Sequence, residues 1–164
     1  MKMVLILDEW IIHDLQNDNG EEKQKESFQF LQKIMEKCDK IAIVKNSKFV
    51  KKIYAFSKAS SNSAELKGKN RVLKDEFLHN SQKTEILDLE NINSEEIVSV
   101  LENINPDDHY IIKAYFYLRN QKMETIIITT DKPLMETLMN HKISVYRRDE
   151  FIKTYLSEHQ NPEA

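Results

Sequence analysis

Asp8, Glu9, Asp107, Asp108 and Asp131 are the residues of this chain whose types and places can do chemistry together. Asp8 and Glu9 follow directly on Met3-Val4-Leu5-Ile6-Leu7, and Asp131 closes Thr129-Thr130-Asp131 behind Ile126-Ile127-Ile128. Asp107 and Asp108 follow Asn105-Pro106, a pairing that starts helices. Carboxylates gathered in one place resist ionising together, so a cluster of them calls for a cation. Hard oxygen ligands suit Mg²⁺ or Mn²⁺, which activate water and offset developing charge when a phosphodiester is cut. Each acid also has a purely local use: Asp107 and Asp108 at the positive end of a helix dipole, Asp131 as a helix cap.

The elements that must position these acids are legible as short apolar runs and helical stripes. Residues 3–8, 41–44, 86–89, 125–129 and 143–146 are the expected strands, continuous enough in apolar character to be buried on both faces. Between them run helical stripes: Trp10, Ile11, Ile12 and Leu15; Phe28, Leu31, Met35 and Cys38; then Phe49, Ile53 and Phe56 from Asn46 onward. A polar break at 60–63 precedes a further stripe of Leu66, Leu73 and Phe77. Asn93 with Glu96 has the spacing of a capping box ahead of Ile97, Leu101 and Ile104. Asn105 opens a helix carrying Tyr110, Ile111, Ala114, Tyr115 and Leu118, and Pro133 opens another with Leu134 and Leu138. The alternation predicts an α/β fold, a three-layer α/β/α arrangement with a central, mostly parallel sheet. Ligands of such sheets bind outside the carboxyl ends of the strands, which is where Asp8 and Asp131 stand.

A chain of 164 residues that is 40 % hydrophobic and 31 % charged reads as one globular domain, expected over residues 1–156 with a polar tail at 157–164. With only 2 glycines and no glycine-rich phosphate motif, dinucleotide and Walker-type sites are disfavoured. The single cysteine, Cys38, rules out an internal disulfide and is expected to be buried on its helix. The first apolar run stops at Asp8, too short for a signal peptide or spanning helix, so a cytoplasmic protein without membrane contact is expected. A net charge of −3 hides a segregated stretch: residues 45–74 hold Lys45, Lys48, Lys51, Lys52 and five further cations against one acid, Glu65. Such a stretch can follow a phosphate backbone without reading sequence, or simply be a solvated face. The five histidines show no metal-ligand spacing, and only His109 adjoins the acids.

In order, Leu5-Ile6-Leu7-Asp8, Asp107-Asp108-His109-Tyr110-Ile111-Ile112-Lys113-Ala114 and Ile128-Thr129-Thr130-Asp131 resemble a PIN domain. Ile143-Ser144-Val145-Tyr146-Arg147-Arg148-Asp149-Glu150-Phe151 is similar to that family's last strand and the helix start behind it. The likeness covers about residues 3–152 through short motifs and is most specific in the C-terminal third. It implies a metal-dependent ribonuclease acting on single-stranded RNA and, for many members, a toxin paired with an antitoxin-type protein partner. Carried over, Asp8 matches the first metal ligand, Asp107 or Asp108 the third and Asp131 the fourth, with Thr130 orienting a ligand or bound water. Two features depart from the family. Its first motif usually reads Asp-Thr-Asn, against Asp8-Glu9-Trp10 here, and its helical glutamate is replaced by Lys52 or Ile53, with Glu9 or Glu65 as candidate substitutes. The expectation is a divalent-metal-dependent ribonuclease of weak activity. The alternatives are a catalytically weak or inactive PIN-like module that binds RNA or a protein partner, and a scaffold whose acids only cap helices. Whether the chain forms a homodimer stays open at this level.

Overall fold

The computed structural model describes residues 2–60, 72–89, 92 and 95–157. Five strands, β1 (Met3–Leu7), β2 (Lys40–Val44), β3 (Thr84–Leu87), β4 (Glu124–Thr129) and β5 (Val145–Arg147), form one sheet in the order β3-β2-β1-β4-β5. Every pairing is parallel. The register sets Leu7 beside Ile128 and Thr129 beside Arg147, so β1 and β4 finish side by side. The chain moves outward from β1 to β2 and β3, then returns to the far side of β1 for β4 and β5. The order therefore reverses between β1 and β4, the place where an open α/β sheet leaves a crevice at its carboxyl edge.

The pleat divides the apolar strand residues between two cores. Leu5, Leu7, Ile41, Ile43, Ile126 and Ile128 face helices α1 (Trp10–Leu15), α2 (Glu21–Glu36), α3 (Lys48–Ser60) and α7 (Arg148–Ser157), together with a π-helical segment at Val72–Leu78. Val4, Ile6, Ala42, Val44 and Ile127 face α4 (Glu95–Leu101), α5 (His109–Asn120) and α6 (Lys132–Asn140). The expected three layers are thus present, with helices on both faces of the sheet. Each fully buried Leu, Ile or Phe contributes about 1.5–3 kcal/mol. A core of this extent leaves room for local repulsion elsewhere in the fold.

Several expected details differ. Cys38 is exposed, because α2 ends at Glu36 and Lys37 turns extended at φ −94°, ψ 175° before the stripe reaches it. The buried face of α2 is also rotated: Gln24, Ser27, Phe30, Leu31 and Ile34 point inward, while Phe28 and Met35 are only half-buried. Polar Gln24 and Ser27 face inward because they have buried partners, the Leu15 carbonyl and the Asp14 carboxylate. β3 covers Thr84–Leu87 rather than 86–89, and β5 covers Val145–Arg147 rather than 143–146. α3 begins two residues after Asn46, whose φ of 63° belongs to the turn before it. Leu73 and Phe77 are buried on the π-helical segment, whereas Leu66, Asn93 and residues 158–164 lie outside the described residues. Among the described residues no helix is long and apolar enough to cross a membrane.

Candidate functional site

The loops that leave β1 and β4 are tied to one another before any ligand is considered. Asp8 stands directly behind β1, its Oδ1 accepting the Glu9 amide at 2.7 Å, and the Thr129 hydroxyl donates to its Oδ2 at 3.4 Å. The same hydroxyl accepts the Asp131 amide at 3.1 Å, so one side chain couples both loops. The Trp10 indole N–H donates to the Ile128 carbonyl at 2.8 Å, pinning the start of α1 on the end of β4. Asp131 caps α6 as expected, its Oδ1 accepting the Leu134 amide at 3.1 Å with Pro133 in the first turn. Since this cap is local, Asp131→Ala is expected to cost about 1 kcal/mol of stability, and Asp131→Asn, which keeps the oxygen, far less. Melting curves of the two variants in chelator check this, and equal losses would remove the cap.

Asp107 and Asp108 separate. The Asn105 side chain accepts the Asp107 amide at 3.0 Å and sets a 3₁₀ turn at Pro106–Asp108, not the first turn of an α-helix. The turn leaves Asp107 exposed beside Ser47 and Lys51, and carries Asp108, 14 % exposed, toward Asp8. The fourth wall of the crevice comes from α3. Ser47 Oγ accepts the Val50 amide at 3.3 Å, which makes Ser47 the cap and Lys48 the first helical residue. The Lys48 ammonium lies 3.5 Å from Asp108 Oδ1 and 2.5 Å from Glu9 Oε1, the latter an ion pair outside hydrogen-bond angles. Asp8, Glu9, Lys48, Asp108, Thr130 and Asp131 together line a crevice of about 370 Å³ at the carboxyl edge of the sheet.

The electrostatics of the crevice are those of crowded acids. Burial, helped by Asp108 and Asp131, pushes the Asp8 carboxyl up from its ordinary 3.8 to about 6 despite Lys48 and the Thr129 hydroxyl, which pull the other way. Tyr110, on the first turn of α5, is held well above the ordinary phenol range, first by burial and then by Asp8 and Asp108. Its hydroxyl is buried and has no hydrogen-bond partner among the described residues.

Of the expected residues, Asp8, Glu9, Asp108, Thr130 and Asp131 come together, and Asp107 does not. Lys48 belongs to the crevice itself, Lys52 reaches Glu9 at 3.8 Å, and Lys51 lines the neighbouring groove with Asp107 and Tyr110. Lys45 is exposed behind β2. Thr129, one residue before the Thr130 singled out from sequence, is the hydroxyl that binds Asp8. His109 turns away, its Nε2 bonded to the Ile104 carbonyl at 2.9 Å, while His13 lines the crevice 3.7 Å from Glu9. Glu65 lies outside the described residues. Hard carboxylate oxygens of this kind are the ligand type that Mg²⁺ and Mn²⁺ prefer. Among the described residues no three such side chains are already grouped as metal ligands. Lys48 stands beside two of these acids, Glu9 and Asp108. No family model matches this chain, and no curated protein matches it.

Proposed function

We propose that this chain is a PIN-like, divalent-metal-dependent nuclease that hydrolyses RNA phosphodiesters. The observation that supports this reading is that Asp8, Asp108 and Asp131 line one crevice at the topological switch point, together with Lys48. In the reaction a water oxygen bonds to phosphorus and the bond to the leaving ribose oxygen breaks. The proton given up by the water ends on that leaving oxygen. Asp8, Asp108 and Asp131 would hold an Mg²⁺ or Mn²⁺ ion, which would supply a more acidic water and a positive charge against the phosphoryl oxygens. Asp8, with its carboxyl near 6, is ionised at neutral pH and free to hold a cation. The Thr129 hydroxyl keeps that carboxylate aimed, and Lys51 in the adjoining groove offers an ammonium to the phosphate backbone. Burial, with Asp8 and Asp108 beside it, favours the protonated Tyr110 phenol, a hydroxyl that can donate or accept a hydrogen bond.

One observation favours a second reading, an RNA-binding module that does not cut: Lys48 already pairs with Glu9 and Asp108, which weakens the pull on an incoming ion. The deciding experiment incubates purified protein with a panel of single-stranded RNAs and Mn²⁺. Slow cleavage that stops with chelator is expected. Binding without any Mn²⁺-dependent cleavage across the panel would establish the module instead.

A further inference from the structure

Lys48 is electrostatically misplaced. It is the first residue of α3, at the positive end of a helix dipole, where a cation is disfavoured and an acid preferred. No acid occupies the first turn of α3. The side chain is also half-buried, 35 % exposed. What offsets these costs lies across the crevice: Glu9 Oε1 at 2.5 Å and Asp108 Oδ1 at 3.5 Å, both on side chains no more than 16 % exposed. Glu9 is also approached by the Lys52 ammonium at 3.8 Å and the His13 imidazole at 3.7 Å, and neither of these contacts reaches Asp108. Lys48 also lines both the acidic crevice and the groove that holds Lys51, so its side chain stands on the wall between them.

We propose that Lys48 is the resident cation of the crevice, a positioning residue that holds Glu9 and Asp108 together in the metal-free protein and is displaced when a divalent ion enters. This rests on the reading of the crevice as a divalent-cation site. A divalent ion bound to Asp108 and a lysine ammonium 3.5 Å from the same carboxylate repel each other and compete for the same oxygens. Metal affinity is therefore set by Lys48 as well as by the aspartates.

The test titrates Mn²⁺ into the full chain by calorimetry at fixed ionic strength, for the wild type, Lys48→Arg and Lys48→Met. Lys48→Met is expected to bind Mn²⁺ about tenfold tighter or more, since the competing charge is gone while the carboxylates remain. Lys48→Arg keeps the charge and is expected to stay within about twofold of the wild type. A purely structural lysine would give the opposite order, with Lys48→Met binding more weakly. A second measurement uses the wild type alone: the rate at which an acetylating reagent modifies Lys48, relative to Lys51, is expected to rise on adding Mn²⁺. Equal or weaker Mn²⁺ binding by Lys48→Met, or an acetylation rate that Mn²⁺ leaves unchanged, overturns the role given to Lys48 and leaves the metal-dependent reading intact. Failure of both the wild type and Lys48→Met to bind Mn²⁺ overturns the two together.

Discussion

Arg148→Met is expected to lower stability by about 3–5 kcal/mol, the cost of stranding one member of a buried ion pair. The Arg148 Nε lies 3.0 Å from Asp14 Oδ2, and both side chains are only 2 % exposed. The guanidinium also donates to Asp149, to Ser27 Oγ and to the Lys23 carbonyl, at 2.7, 3.1 and 3.2 Å. Ser27 and Asn19 donate in turn to Asp14. The network joins the end of α1, the middle of α2 and the start of α7. It also braces the crevice, because the guanidinium sits 5.7 Å from the centre of the Trp10 ring, and Trp10 fixes α1 to β4. Removing the arginine leaves the Asp14 carboxyl group buried with two neutral donors, Ser27 and Asn19. For a domain of this size the melting temperature should drop by roughly 10 °C. The double variant Asp14→Asn with Arg148→Met, which removes both charges, should be the more stable of the two. A single variant melting within about 2 °C of the wild type would show that the pair contributes little.

Asp8→Asn is expected to act in opposite directions on stability and on activity. The carboxyl has its ordinary value of 3.8 in the unfolded chain and about 6 in the fold, so folding favours its protonated form. Below about pH 4 it is protonated in both states and costs nothing. As pH rises through the window from about 4 to 6 the penalty of ionising it in the crevice appears, and above 6 it is present in full. The shift corresponds to about 3 kcal/mol at most, and about 1–2 kcal/mol after solvent screening of a half-buried group. Asparagine carries no charge, can still accept the Glu9 amide and can donate to Thr129. The variant should therefore be more stable than the wild type in chelator at pH 7–8, with the difference closing near pH 4. Mn²⁺ should raise the melting temperature of the wild type and not of the variant, because a ligand stabilises only the state that binds it. Mn²⁺-dependent cleavage should fall on the order of a hundredfold or more, since even residues that merely support a metal ligand cost ten- to a hundredfold. Melting curves at several pH values, with and without Mn²⁺, check the whole pattern. A wild type unmoved by Mn²⁺ sinks the shared cation site.

Asp8 and Asp131 could be placed from sequence because their positions follow from local rules. A β-branched run with polar flanks is a buried parallel strand, and the residue behind it falls at the carboxyl edge of the sheet. The same kind of rule placed the Asp131 cap, since Asp-Lys-Pro ahead of an apolar stripe satisfies the free amides of a helix start. Local rules failed where neighbours overrode them. The stripe ending in Cys38 has the right spacing, but the buried partners of Gln24 and Ser27 turn α2 so that Phe30 and Ile34 face the core.

Asp107 and Asp108 were indistinguishable in the chain because both suit a helix start. A 3₁₀ turn of three residues settles which one faces Asp8. Lys48 looked like one cation of a solvated run, and nothing near it in sequence is acidic. Its partners Glu9 and Asp108 lie 39 residues before it and 60 residues after it by their numbering, and they meet only because the strand order reverses beside β1. The elements and their ends are thus written in short-range periodicity and capping. The meeting of charges across β1, β4, α3 and α5 is a property of the topology, because Coulomb interactions act through space and are blind to position along the chain.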